Sequence, residues 1–404
     1  MKKRALVIVM DSVGVGAAID AADYGDVGAD TLGHIAETFA EYQMPFSLPN
    51  LAAWGLANIH PLPQHAPSAS PRACWGTMRP AAHGKDTTVG HWEMAGLILT
   101  EAFATYPDGF PREIVDQLES LTGHTFIGNK AASGTNIIDE LGVEHLDTGS
   151  IILYTSADSV IQLAAHEEIV PIEEQYRVCR LARQLGDRYR IGRVIARPFV
   201  GAPGSFSRTS RRKDFSMDPS QPTILNAIVE AGLPVVGVGK IYDIFNGRGI
   251  SKSHKTENNA EGMHKTLELW DTFEEGLLFV NLVDFDMLYG HRNNWSGYGE
   301  ALMEFDAFLP KLEALVKPGD LIMITADHGN DPTFPGTDHC RENVPILALR
   351  EDASAALRED ASAALRAPEP GLPLGERRTF ADLGATLGMH LGVKWEGPGV
   401  PFFM

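Results

Sequence analysis

The sequence predicts an α/β protein, with a central, mostly parallel sheet flanked by helices and a smaller domain inserted into it. Three observations carry that expectation. Residues 5–10, 234–238, 277–283 and 321–325 are unbroken apolar runs, the pattern of strands buried on both faces in a helix-covered parallel sheet. Helical segments lie between such runs, near residues 31–39, 224–231, 264–270, 298–315 and 381–391. The 404-residue length exceeds a single typical core and sets two domains as the expectation.

From about residue 101 to 213 the pattern changes. Short β-prone runs at 151–155 and 160–163 accompany one long helical stretch at 172–185, then a Gly-, Pro-, Ser- and Arg-rich passage. This reads as an inserted domain, residues 101–213, in a core assembled from 1–100 and 214–404. Near the end, Arg350-Glu351-Asp352-Ala353-Ser354-Ala355-Ala356-Leu357 recurs identically at 358–365. Two copies are too few for a solenoid. The alanine-rich, charge-balanced composition suits an exposed helix or a flexible excursion, a tolerated surface insertion.

An apolar content of 44% with 22% charged residues describes a soluble globular chain. The net charge of −19 disfavours nucleic acid, which calls for a basic footprint. It does not exclude small anionic substrates, because a dicationic centre can reverse the local field. Cys74, Cys179 and Cys340 are far apart and odd in number, offering no disulfide framework and no CxxC site. The start, Lys2-Lys3-Arg4 followed by an apolar run to Met10, imitates a signal peptide, but Asp11 ends the run too early. With no stretch approaching a membrane span, the expectation is a cytoplasmic protein without a membrane partner.

In each predicted core strand, polar residues begin where the apolar run stops, and open α/β sheets bind ligands at the carboxyl ends of their strands. Four segments bring candidate metal ligands there: Asp11; Asp286 with His291; Asp327 with His328; and His339. Imidazole and carboxylate together suit Zn²⁺ or Mn²⁺ better than Ca²⁺. Three carboxylates and three imidazoles are too many for one tetrahedral site but fit two metals with about three ligands each. Paired metals serve phosphoryl transfer by holding the attacking and leaving oxygens together.

A nucleophile is expected in Gly84-Lys85-Asp86-Thr87-Thr88-Val89-Gly90-His91-Trp92-Glu93-Met94, a loop entering a helix. Such a helix start exposes backbone N–H groups and a positive dipole end, which suits phosphate. A threonine hydroxyl held there on a metal loses its proton more easily and can attack phosphorus. Chemistry alone does not separate Thr87 from Thr88, and Lys85 is placed to offset developing charge.

Taken together, Asp11-Ser12-Val13-Gly14, Gly84-Lys85-Asp86-Thr87, Gly90-His91-Trp92-Glu93, the Asn281 to His291 segment, Thr325-Ala326-Asp327-His328-Gly329-Asn330 and Thr337-Asp338-His339 resemble the phosphopentomutases, a bacterial branch of the alkaline phosphatase superfamily. The similarity runs through the insert as well, over Tyr154-Thr155-Ser156-Ala157-Asp158-Ser159 and from Ile195 to Gly201. It implies an alkaline-phosphatase-like core carrying a smaller α+β cap. It also implies interconversion of ribose 1-phosphate and ribose 5-phosphate, and of the 2-deoxyribose phosphates. By the same resemblance two Mn²⁺ ions are held, one by Asp11, Asp327 and His328, the other by Asp286, His291 and His339. Thr87 is then both the phosphorylated nucleophile and a bridging ligand, primed by a sugar bisphosphate such as glucose 1,6-bisphosphate.

A pentose phosphate also needs a cationic grip on its distal phosphate. Arg197, Arg208 and Arg212 in the insert and Lys240 in the core are candidates, because guanidinium forks match phosphate geometry. Ser156 and Asp158 are candidates for the sugar hydroxyls. The alternative is another enzyme of the same superfamily, a metal-dependent phosphatase or a cofactor-independent phosphoglycerate mutase. The second resembles this chain in its metals but uses serine where Thr87 stands.

Overall fold

In the computed structural model of the chain, residues 2–156, 158–350 and 371–403 are described. Strands β1 (Arg4–Met10) and β2 (Cys74–Met78) come first. The middle of the chain holds β3 (Phe126–Ala131), β4 (Ile151–Thr155), β5 (Val160–His166), β6 (Arg193–Val200), β7 (Ser207–Arg208) and β8 (Lys213–Ser216). After them come β9 (Val235–Val238), β10 (Lys252–His254), β11 (Gly276–Leu282), β12 (Leu321–Thr325), β13 (Val344–Arg350) and β14 (Pro373–Arg377). Two compact units result, one of Met1–Glu101 with Pro219–Met404, the other of Ala102–Asp218.

The larger unit carries an eight-stranded sheet in the order β10-β9-β11-β1-β12-β13-β2-β14. β1 runs parallel to β11 and β12, while β13 is antiparallel to both of its neighbours. Every residue of β1, β11 and β12 is buried, which is why these strands read as continuous apolar runs. Met10 lies beside Leu282, and Val9 beside Thr325. Asp11, the Asp284 to Asp286 turn and the Asp327-His328 pair therefore leave the sheet at one edge.

Side-chain caps set where the helices begin. Helix Asn259–Thr272 starts five residues before the expected 264, because the Asn258 side chain accepts the N–H of Glu261. Helix Trp295–Glu313 likewise starts ahead of 298, with Asn294 accepting from Gly297. Helix Ala381–Leu391 has the predicted bounds and packs on β1. The octapeptide copies lie outside the described residues except for Arg350, the last residue of β13.

At the opposite end of β1 from Asp11, Arg4 is 3% exposed. Its Nε and Nη2 lie 2.7 and 2.8 Å from the two Asp320 oxygens. It also donates to the carbonyls of Trp270, Phe273 and Leu315, and its guanidinium stacks 4.0 Å over the Trp270 ring. The Lys2-Lys3-Arg4 start thus contains a structural cation. Arg4→Ala strips Asp320 of its counter-charge while both stay buried, and a loss of about 3–5 kcal/mol is expected in denaturant unfolding. A change under 1 kcal/mol would contradict the role given to this pair.

The smaller unit is a six-stranded mixed sheet, β3-β4-β5-β6-β7 with β8 also on β6. Alternation along β4 divides its core. Ile151 and Leu153 pack with Ile114, Leu118, Val178 and Leu185 of helices Arg112–Thr122 and Ile172–Arg188. Ile152 and Tyr154 face Ile137 and Ile138 of helix Gly134–Thr148. Among the described residues, no helix is long and apolar enough to cross a membrane.

Candidate metal centre

Asp11 follows β1 and is fully buried. The next residue, Ser12, has φ 73°, a left-handed conformation that costs a serine roughly 1–3 kcal/mol. That turn aims the Ser12 N–H at Asp327 Oδ1 (3.0 Å) and seats its hydroxyl against Tyr298 OH (2.9 Å). The Ser12 carbonyl in turn accepts the N–H of Asn330. Strain at this one residue joins the ends of β1 and β12.

The ligand candidates form two groups, each with donor atoms within 4.8 Å of one another: Asp286, His291 and His339; and Asp11, Asp286 and His328. Asp286 thus belongs to both. Its Oδ2 lies 3.2 Å from His291 Nε2, and its Oδ1 lies 3.4 Å from His339 Nε2. Asn330 Nδ2 donates to the same Oδ1 at 2.8 Å. Asp327 stands against the second group, its Oδ2 at 3.4 Å from His328 Nε2, and that Nε2 is 3.4 Å from Asp11 Oδ1. Two of the rings are oriented from behind. His291 Nδ1 is 2.7 Å from the Thr337 carbonyl and His328 Nδ1 is 3.0 Å from that of Gly329. A carbonyl can only accept, so each Nδ1 carries a proton, and Nε2 is the ring nitrogen left to bind a cation.

Buried charge of this kind needs compensation. Burial and the neighbouring Asp327 push the Asp11 carboxyl up. Burial also opposes ionisation of Asp286, but His339, His291 and His328 outweigh it and hold that carboxyl well below its usual range. His328, disfavoured as a cation by burial, is nevertheless pushed well above the ordinary imidazole value by Asp327, Asp11 and Asp286. Asp11 Oδ1 and His339 Nε2 are buried without hydrogen-bond partners. Unpartnered acceptors among crowded buried carboxylates and imidazoles are what divalent cations bind, so the donor set fits metal ions.

Helix Thr87–Met94 brings a hydroxyl to this cluster. It begins at Thr87 because Asp86 Oδ1 accepts the N–H groups of Thr88 and Val89. Thr87 Oγ1 lies 3.2 Å from His328 Nε2. Gly90 lets the helix lie directly on the β12 loop, since a Cβ there would sit 2.2 Å from the Asp327 carbonyl oxygen. The buried Glu93 carboxylate accepts from the N–H groups of Ala81, Ala82 and Phe380 and the hydroxyl of Thr379, anchoring the loop before the helix. Lys85 holds Asp26 at 3.0 Å and lies 3.6 Å from Asp338.

Sequence reasoning gave no role to the residues behind this front line. Glu342 Oε2 accepts the N–H groups of Gly16 and Thr31, and its Oε1 takes the Thr31 hydroxyl; complete burial pushes its carboxyl up to about 7. Arg341, almost fully buried, grips Asp20 and the carbonyls of Pro80, Ala82 and Gly84. The one available signal was the adjacent charged pair Arg341-Glu342 shortly after His339, inside a segment that turns back into apolar sequence.

The remaining candidates divide between the units. Lys240 follows β9 at the carboxyl edge of the core sheet, capping helix Ile241–Ile244. In the insert, Asp158 pairs with Arg193 at 2.9 Å, Arg197 donates to Gln162 and Arg212 pairs with Asp214. Tyr154 OH is fully buried and unpartnered; burial raises its pKa, and the charges of Arg197, Arg208 and Arg212 act against that rise. A Cβ on Gly134, the first residue of helix Gly134–Thr148, would lie 2.6 Å from that hydroxyl and 3.5 Å from Arg208 Nη1. The charges of three guanidinium groups thus act on one phenol that stands against a helix start. Ser156, just beyond β4, is half-buried.

A profile of the metalloenzyme superfamily matches residues 3–395. The phosphopentomutase of Caldanaerobacter subterraneus subsp. tengcongensis is 50% identical over 96% of this chain and 94% of its own. That of Dictyoglomus thermophilum is 49% identical over 99% and 97% respectively. Among solved structures, a phosphoglycerate mutase from Leishmania mexicana aligns at 11% identity with a TM-score of 0.49, covering 99% of this chain and 97% of that one. The profile and the two phosphopentomutases define the chain as a metalloenzyme. The chain belongs to the metalloenzyme superfamily and, within it, to the phosphopentomutase family.

Proposed function

We propose that this enzyme interconverts the 1- and 5-phosphates of ribose and 2-deoxyribose through a phosphothreonine at Thr87. The observation that carries the reading is the Thr87 hydroxyl 3.2 Å from His328 Nε2, at the start of a helix and at the rim of two ligand groups. Asp286, His291 and His339 would hold one cation, and Asp11, His328 and Asp327 the other. Mn²⁺ suits such mixed oxygen and nitrogen donors. When bound, the cations supply positive charge that favours an ionised hydroxyl and offsets charge on the transferring phosphoryl oxygens.

The residues would then act as follows. Thr87 Oγ1 attacks a phosphorus of glucose 1,6-bisphosphate or a similar donor; the P–Oγ1 bond forms as the sugar O–P bond breaks, and the sugar monophosphate leaves with the hydroxyl proton. The free hydroxyl of a pentose monophosphate attacks this phosphorus; the new sugar P–O bond forms as the P–Oγ1 bond breaks. The proton released by the sugar hydroxyl returns to Thr87. The bisphosphate then delivers its other phosphate to Thr87 by the same exchange in reverse, leaving the isomeric monophosphate. Transfer of this kind depends mostly on positioning and electrostatics. In the core, Lys85 and Lys240 are proposed as cationic partners of the phosphates. In the insert, Arg197, Arg208 and Arg212 around Tyr154 form a cluster suited to a phosphate, and Ser156 and Asp158 are proposed for the sugar hydroxyls.

Product analysis tests the reading. With ribose 5-phosphate, Mn²⁺ and a catalytic amount of glucose 1,6-bisphosphate, ribose 1-phosphate is expected to accumulate to equilibrium with little free phosphate. Stoichiometric release of inorganic phosphate instead would identify a hydrolase.

A further inference from the structure

Behind the proposed centre lies a buried pair that no step above uses. His91 is fully buried on helix Thr87–Met94, one turn after Thr87, and Asn281 is 1% exposed near the end of β11. His91 Nδ1 lies 2.9 Å from the Thr87 carbonyl and 3.1 Å from Asp327 Oδ2. On the other side of the ring, Nε2 is 3.5 Å from Asn281 Nδ2, which donates to Asp11 Oδ2 at 2.9 Å.

The proton positions follow from these contacts. The Asn281 amide must present its N–H₂ end to Asp11, because the flipped amide would set an oxygen against a carboxylate oxygen. An N–H then also faces His91 Nε2, making that nitrogen the acceptor and placing the ring proton on Nδ1. The Thr87 carbonyl is already in the helix ladder, so the carboxylate of Asp327 is the stronger claimant for the Nδ1 proton. Phe279, its ring centroid 5.9 Å from that of His91, forms part of the apolar wall beside the imidazole. Gly90 fixes the approach of this helix to the Asp327 backbone.

We infer that His91 and Asn281 are positioning residues that set the Asp11 and Asp327 carboxylates as one unit and tie both to the helix bearing Thr87. This rests on the two-metal reading and deepens it: the contacts of the pair reach Asp11 and Asp327, and so brace the group these form with His328. Hydrogen-bonded supports of metal ligands typically contribute 10- to 100-fold in affinity. A core histidine with a merely structural role would affect both groups alike or neither.

Titration of metal-free protein with Mn²⁺, read calorimetrically and by the electron spin resonance of free Mn²⁺, separates these outcomes. Wild type is expected to take up two ions. His91→Phe, which keeps ring volume without the donor, is expected to weaken one of them 10- to 100-fold and leave the other unchanged. His91→Asn, whose amide nitrogen stands where Nδ1 stood, is expected to restore most of the loss. Should His91→Phe not fold, Asn281→Ala removes the donor to Asp11 and is expected to weaken the same ion. Two unchanged affinities, or an equal loss at both, would overturn this inference and leave the two-metal reading standing. A wild type that binds no Mn²⁺ would overturn both.

Discussion

Thr87→Ala is expected to abolish mutase turnover, with kcat reduced by a factor on the order of 10⁴–10⁶, the usual cost of removing a nucleophile. The loss should be chemical. Thr87 is the first residue of its helix, and the cap is supplied by Asp86, so alanine keeps the backbone and the cap intact. The buried carboxylates and imidazoles do not depend on the hydroxyl, and metal content should stay near two equivalents. After incubation with glucose 1,6-bisphosphate, intact mass and peptide mapping should show the phosphoryl group on the wild-type peptide and none on the variant. A normal phosphopeptide in Thr87→Ala would move the nucleophile to Thr88.

Asp286→Asn is expected to be nearly as severe, through metal content. Asp286 is the carboxylate common to both ligand groups. Its Oδ1 already accepts from Asn330 Nδ2, so asparagine would keep its carbonyl oxygen there and turn its N–H₂ toward the side where His291 Nε2 lies 3.2 Å from Oδ2. A donor then stands where an acceptor is required, and a negative charge is lost from both groups at once. Affinity should fall by at least about 100-fold, the upper end of what a supporting residue alone contributes. Elemental analysis after dialysis should show fewer than one metal per chain. Retention of two would remove Asp286 from the ligand set.

How legible this protein was in its sequence depended on how far each signal reaches. Strands β1, β11 and β12 were readable because a parallel strand buried on both faces must be apolar throughout, whatever its neighbours are. Their polar endings marked the edge where Asp11, Asp286 and Asp327 gather. The flank β13-β2-β14 was not singled out: β2 and β14 are five-residue strands with partly exposed residues, so no unbroken run announces them. In the insert, helix Gly134–Thr148 escaped because it opens on glycine, a poor helix former, and depends on the Ser133 cap and on burial of Ile137 and Ile138. Residues with through-space roles were the least visible. Asn281 meets Asp11 across 270 positions of chain and His91 across 190, and no local pattern in a single sequence encodes such a partner. The grouping of ligands was equally hidden, since only geometry puts Asp286 in both sets.

The register of the central strand has a thermodynamic consequence. Ser12 reaches Asp327 across 315 positions, so the donors come together only when the two ends of the chain have already met in one sheet. The unfolded polypeptide offers little beyond the adjacent Asp327-His328 pair, and cations therefore select the folded state almost exclusively. At a free concentration one hundred times its dissociation constant, each such ion contributes about 2.7 kcal/mol to stability by mass action. The ions proposed to work on the phosphate would thus also act as clasps on the sheet, and cellular metal supply would set the lifetime of the fold along with its activity.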